Sequence, residues 1–307
     1  MSILISIFWF AVAVVGAMAL GWLFRAFVVA VSPQRQAQDM RKAPLTASFG
    51  LLVILVYVLV AALAPVIAPF GESEVVGGEF LPWDSTYLLG TDNLGRDMLT
   101  RMIYGARNTV GIAFTITALA FFVGTVLGLL AAVVGGWLDQ VLSRSVDVLM
   151  AIPSLIFSLL LLTIFGTSVL SLVLVIATVD ATRVFRLARS VAQGIVVMDY
   201  IEAARLRGEG KWWLITREIL PNAMAPLVAE FGLRFCFVFL AISGLSFLGL
   251  GIQPPTADWG GMVRDNATLI TFGDLTPFLP AGAIALLTVA VNFVVDWQLH
   301  KSSGLKE

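Results

Sequence analysis

Apolar residues along this chain fall in long runs, not in the short alternating or three-and-four patterns of a water-soluble fold. Seven runs, at roughly 3–24, 48–69, 108–134, 148–168, 169–188, 224–250 and 276–298, each hold about the 20 residues that a helix needs to cross a bilayer. The pattern predicts an all-α polytopic membrane protein. The third run carries Gly111, Gly124 and Gly128, small residues that suit close helix packing in lipid. Pro153, early in the fourth run, kinks or starts that helix. Only Gly166, Thr167 and Ser168 separate the fourth run from the fifth, which predicts a tight turn at a membrane surface. The first run has no basic residue before Arg25 and no clear small-residue cleavage site, so an uncleaved span is expected in preference to a signal peptide or an interfacial helix.

The connections between runs differ in charge. One set holds Arg35, Arg41, Lys42, Arg144, Arg183, Arg186, Arg189, Arg205, Arg207, Lys211, Arg217, Lys301 and Lys306. The alternate set holds only Arg96, Arg101, Arg107 and Arg264. Lys- and Arg-rich loops stay on the cytoplasmic side, so the N-terminus is expected outside and the C-terminus inside. The first external loop is acidic, with Glu72, Glu74, Glu79 and Asp84.

Composition agrees with a lipid environment: 59% of the 307 residues are hydrophobic and 13% charged, where a soluble domain is about a quarter charged. A net charge of −1 gives no field that would attract nucleic acid. Cys236 is the one cysteine and His300 the one histidine, too few for an intrachain disulfide or an ordinary zinc or iron site. Cys236 reads as a small buried hydrophobe. No metal site and no catalytic residue is therefore expected. Asp180, Glu230 and Arg234 fall within or near the runs, and a charge in the membrane is a functional candidate by default. Glu230 and Arg234 are four apart and share a helix face, and Asp180 precedes Arg183 by one turn. Structural ion pairs are expected here before substrate contacts. No GxxxxGK[ST] phosphate loop occurs, and Gly208-Glu209-Gly210-Lys211 lacks the strand that such a loop follows. The chain is expected to bind no ATP itself.

The longest basic connection runs from Tyr200 to Leu227. Asp199, Glu202, Arg205 and Glu209 recur at helical spacing, with Val197, Ile201 and Ala204 on another face. Gly208 and Gly210 can end that helix. Trp212, Ile215, Thr216 and Ile219 mark a second short helix, and Pro221 suits the start of the next span. Ala203 and Ala204 leave little bulk, so a partner could approach closely. The same pattern also fits a helix lying on the bilayer. On the opposite side, Thr91-Asp92 can cap a helix through Asn93–Tyr104, with Asp97 and Arg101 as an i,i+4 pair. A calcium loop is excluded there, because the twelve-residue ligand pattern and its final glutamate are missing. Trp259, after Pro254-Pro255, is placed as an interfacial anchor.

Glu202-Ala203-Ala204, then Gly208, then Leu220-Pro221 resembles the EAA signature of binding-protein-dependent ABC permeases, with Glu218 where the family often has isoleucine. Leu88–Arg107, including Gly90, Thr91, Asp92, Gly95, Arg96 and Asp97, resembles the C-type subunit of the dipeptide/oligopeptide/nickel branch, as do Asp147–Leu161 and Ser246–Val263. The resemblance covers roughly residues 45–298, leaving 1–31 as an extra N-terminal span and 299–307 as a tail. It implies a type I importer permease with six core helices plus one, in a bacterial inner membrane. It also implies a B-type permease partner, two ATPase subunits that bind ATP and magnesium, and a periplasmic binding protein. In such a complex the EAA loop docks on an ATPase. Peptides, nickel, glutathione, opines and oligosaccharides are all substrates within that branch. The rival class is a stand-alone channel or ion-coupled carrier, for which the two related halves common in carriers are not seen.

Overall fold

The structure, a computed structural model, describes the backbone of residues 2–303 and the side chains of residues 12–34 and 37–301. The side chain of Arg35 and the whole of Lys306 lie outside the described residues. Among the described residues the fold is helical, with only two isolated β-bridges, Val75 with Arg96 and Thr91 with Asp97.

The helices follow the apolar runs, with α1 at Ser2–Val31, a short α2 at Gln34–Lys42 and α3 at Leu45–Ile67. A short α4 (Met98–Gly105) passes through a π-helical turn into α5 (Gly111–Val134). Next come α6 (Gly136–Met150), α7 (Ser154–Phe165) and α8 (Val169–Val196). After a short α9 (Asp199–Leu206) and one turn of helix, α10 (Lys211–Trp213), a second π-helical turn leads into α11 (Leu220–Phe247). The last two are α12 (Trp259–Asn266) and α13 (Phe278–Ser303).

Five segments are long and apolar enough to cross a membrane: Val12–Val31, Leu45–Ile67, Met98–Val134, Lys211–Phe247 and Phe278–Lys301. The run at 148–168 is not one helix. It is split between α6 and α7, bent by 89°, and counts as a sixth span only if the pair is taken together. Pro153 is the cause: it offers no N–H to the preceding turn and biases Ile152 out of the helical region. The run at 169–188 becomes the 28-residue α8, whose Asp180, Arg183 and Arg186 leave it below that apolarity threshold.

α5 and α8 make the most extensive helix pair, and glycine allows it. A Cβ on Gly124 would lie 2.7 Å from the Ala181 carbonyl, and one on Gly128 2.7 Å from that of Phe185. Gly111 faces open space and plays no such part. The main core gathers Ile116, Leu172, Ile176, Phe239, Ile242 and Leu287 from α5, α8, α11 and α13. Cys236 is buried there as a free thiol. α1 lies against α3, with Gly21 under the Leu45 carbonyl, and Arg25 donates to the carbonyls of Arg41 and Ala43.

Trp259 is not an interfacial anchor. It is 2% exposed and packs edge-to-face on Tyr57 and Phe239, against Gly105. Its Nε1 donates to the Met102 carbonyl at 3.1 Å. With that one polar atom satisfied, the large ring belongs in the core.

Candidate functional site

The α9 loop is built onto the helix ends beneath it. Ile201 and Ala204 are wholly buried against Leu129 and Val133 of α5, Ala192 of α8, and Leu214, Ile215 and Ile219 ahead of α11. Glu202, Ala203, Arg205 and Leu206 face outward. The two alanines therefore divide: Ala203 is open to a partner, whereas Ala204 packs inward, because three-residue and four-residue steps from Ile201 define the buried stripe. Gly208 has φ +84°, and its N–H donates to the Arg205 carbonyl at 2.9 Å. That left-handed residue ends α9 and turns the chain back.

The second short helix is not a separate element. From Lys211 the chain stays helical through Leu214–Ile219 and on to Phe247, with Leu220 and Pro221 in the first turn of α11. Its buried face is Leu214, Ile215 and Ile219, and Trp212 is exposed. The π-helical turn inserts extra backbone and rotates the face away from the one that 3.6-residue spacing gives. Val197, Met198, Tyr200, Leu206 and Trp212 form an exposed apolar rim around α9.

The membrane charges are one cluster across two helices, α8 and α11. Arg183 Nη1 lies 3.2 Å and Arg234 Nη1 3.6 Å from Asp180 Oδ1, while Arg234 Nε lies 2.7 Å from Glu230 Oε1. Arg183 Nη2 donates to Ser154 Oγ at 3.1 Å, bringing in α7. Spacing reveals the two pairs within α8 and α11, but nothing in a sequence links Arg234 to Asp180 across helices. The Asp139–Arg189 ion pair between α6 and α8 is missed for the same reason.

On the opposite face, residues 70–97 form a cap held by Asp92. Its Oδ2 receives Arg96 Nε at 2.7 Å and faces Arg101 Nε at 3.2 Å, and its Oδ1 accepts from the N–H groups of Leu94 and Arg96. The helix begins at Met98, not Asn93. Asp97 is its N-cap, accepting from Thr100 N at 2.7 Å, so Arg101 pairs with Asp92 in place of Asp97. The positive φ of Gly90 and Gly95 delays the helix and folds the chain so that Asp92 reaches Arg101. Thr91 Oγ1 donates to the Gly78 carbonyl and accepts from Leu81 N. Glu72 accepts from Asn108 Nδ2 and Ala257 N, both at 2.7 Å. Asp258 caps α12 and accepts from Thr109 Oγ1 and Gly261 N. Burial pushes the Asp258 carboxyl above its ordinary range, against the opposing pull of these hydrogen bonds, one from Ser246, and the nearby Arg264 charge. Gly90, Thr91, Asp92, Gly95, Arg96 and Asp97 are thus brought together as the framework of the cap. No group of three or more metal-ligating side chains occurs among the described residues.

Residues 124–301 match the profile of the family described as binding-protein-dependent transport system inner membrane component. A dipeptide transport system permease protein of Alkalihalophilus pseudofirmus is 34% identical over 268 residues, covering 87% of this chain and 88% of the relative. Its counterpart in Haemophilus influenzae is 34% identical over 257 residues, 81% of this chain and 87% of the relative. A glutathione transport system permease protein of Pectobacterium atrosepticum is 32% identical over 212 residues, 69% of this chain and 70% of the relative. The chain belongs to the family of binding-protein-dependent transport system inner membrane components, as a multi-pass permease subunit.

Proposed function

We propose that this permease imports short peptides, as one half of a translocation pathway whose other half is a B-type permease. Two ATPase subunits on the cytoplasmic side bind ATP and magnesium, and a substrate-binding protein delivers the solute from the periplasm. The α9 loop is the element that receives ATPase motion. The observation that carries this reading is the packing of α9. Its inward residues, Ile201 and Ala204, lie on α5, α8 and the start of α11 at once, while Glu202, Ala203 and Leu206 are presented outward within an apolar rim. A displacement of α9 is therefore felt by three helices together.

The Lys/Arg asymmetry of the connections supports a cytoplasmic α9 loop and C-terminus and a periplasmic N-terminus. The peptide assignment draws on the dipeptide permeases that the chain resembles. The deciding experiment is affinity purification of the chain from its native membrane, followed by peptide uptake in proteoliposomes. Stoichiometric ATPase subunits and uptake that requires both ATP and a binding protein are expected. Peptide or ion flux from the chain alone would replace this reading with a stand-alone carrier or channel.

A further inference from the structure

Three features meet in a groove of about 450 Å3 between α7, α8 and α11. The first is Asp180. Its side chain is 4% exposed and lines the groove, its Oδ1 is taken by Arg183 and Arg234, and its Oδ2 has no hydrogen-bond partner. A buried acceptor without a donor is costly. Asp180 Oδ2 is itself closed off, but its residue lines the groove, so a donor arriving from the groove reaches it once the side chain turns toward it. The second is the start of α7. The helix opens at Ser154 behind Pro153, and no side chain caps it. First-turn N–H groups lack intrahelical partners and carry the positive end of the helix dipole. Broken membrane helices use such ends to hold anionic groups of a solute. The third is Arg183, which joins the other two, with Nη1 on Asp180 and Nη2 on Ser154. Its side chain is 37% exposed, more than those of Asp180, Glu230 and Arg234.

The wall carries Asp180, Arg183 and Arg234, and Glu230, which is not in the wall, is paired with Arg234, so the cluster of four is neutral. The groove therefore favours a solute that is neutral overall but carries separated charges, since either ion alone would unbalance it in low dielectric. Apart from Ser158, the rest of the wall, Phe237 and Leu155 among it, is apolar and offers contact without selecting a side chain.

We propose that this groove is a transit site for a zwitterionic peptide. The peptide ammonium donates to Asp180 Oδ2, and its carboxylate lies against Arg183, Ser154 and the N-terminus of α7. The site rests on the peptide-permease reading and deepens it by naming the two solute groups that the membrane subunit itself recognises.

The test uses the purified complex with its partner permease and ATPases, without binding protein. Its thermal midpoint is followed with dialanine, N-acetyl-dialanine and dialanine amide. Dialanine is expected to raise the wild-type midpoint more than either blocked peptide. Asp180→Asn removes the advantage of dialanine over the acetylated probe and keeps that over the amide. Arg183→Gln and Ser154→Ala do the converse. In proteoliposomes with binding protein, Asp180→Asn lowers dialanine uptake by roughly tenfold or more, as expected for losing one hydrogen bond to a charged group. If Asp180→Asn does not assemble, the other two variants decide through the amide. Equal shifts with all three probes in the wild type, or unchanged discrimination in the variants, overturn the site. Dialanine uptake by the wild type separates the two levels: uptake without discrimination overturns the site alone, and no peptide uptake overturns the peptide reading with it.

Discussion

At the scale of single residues, Ala203 and Ala204 make the sharpest contrast. They are adjacent in sequence and face opposite ways, one outward and one wholly buried. Ala204→Trp forces an indole into a closed interface on the protein's own helices, and overpacking of this kind costs about 1–3 kcal/mol or more. It should lower the thermal midpoint of the isolated subunit, whereas Ala203→Trp should leave that midpoint unchanged and release the ATPases on gel filtration. Gly208→Val places a β-branched side chain at φ +84°, at a cost of about 1–2 kcal/mol. Nothing lies within 4 Å of its Cβ, so the strain is in the backbone and not in a clash. The expected outcome is insertion in the membrane with loss of binding-protein-stimulated hydrolysis and uptake. Glu230→Ala strips Arg234 of one partner. Removing one member of a buried pair costs about 3–5 kcal/mol, and the partly exposed Glu230 with the remaining Asp180 contact places this change at the low end. Less assembled complex is expected, with partial recovery when Arg234 is also made apolar. Normal assembly with altered peptide preference would instead put Glu230 in the solute path. The Glu230–Arg234 pair was legible because spacing within a helix is a property of sequence. The inward turn of Ala204 was not, since only the third dimension shows what lies beneath α9.

Among elements, the apolar runs announced the helices well and their interruptions less well. Pro153 and Gly166 correctly punctuated the chain, with Gly166 at φ +82° and Ser168 capping α8. The 89° bend between α6 and α7 was not legible, because a proline marks a break without fixing its angle. The start of α4 was misplaced by five residues. Threonine and aspartate at 91 and 92 have the chemistry of a cap, but their side chains are occupied with Leu81, Gly78, Arg96 and Arg101. Close packing of α5 is what Gly124 and Gly128 foretold; that α8 is the partner, and that Gly111 takes no part, was not legible. Gly124→Leu or Gly128→Leu must push α8 away from α5, because backbone carbonyls of α8 lie within 2.7 Å of the added Cβ. Each should prevent a stable fold, seen as loss of the monodisperse peak in detergent, while Gly111→Leu, which meets nothing, should be tolerated.

For the whole molecule, orientation can be read by chemical labelling against a quiet background, since the single native cysteine is buried. Leu206→Cys on α9 should react with an impermeant maleimide only after spheroplasts are lysed, and Glu79→Cys in the acidic segment should react in intact ones. The reverse pattern would invert the topology. Family membership was legible mainly from the loops, with Asp147–Leu161 the matching stretch inside a span: apolar runs are interchangeable among membrane proteins, while Gly208 and the Gly90–Asp97 stretch each occupy a backbone turn that few residues allow. The link between the α8 and α11 charge pairs, and the hydrogen bond from Arg183 to Ser154 of α7, had no sequence signature.

The unbroken course of the chain from Lys211 to Phe247 has a mechanical consequence. Its 37 residues make a rod of roughly 55 Å, longer than the hydrocarbon core it crosses, jointed at the π-helical turn Leu214–Ile219 and at Pro226. One end sits beside α9 and the other reaches toward the Asp92-centred cap, so a stroke delivered at the bottom travels to the top through those two joints. Slack can be introduced on purpose. Glycine at both Thr216 and Arg217 softens the rod near its lower end at about 1 kcal/mol per site. The engine should then idle: ATP continues to be hydrolysed, and the amount of solute moved per ATP falls.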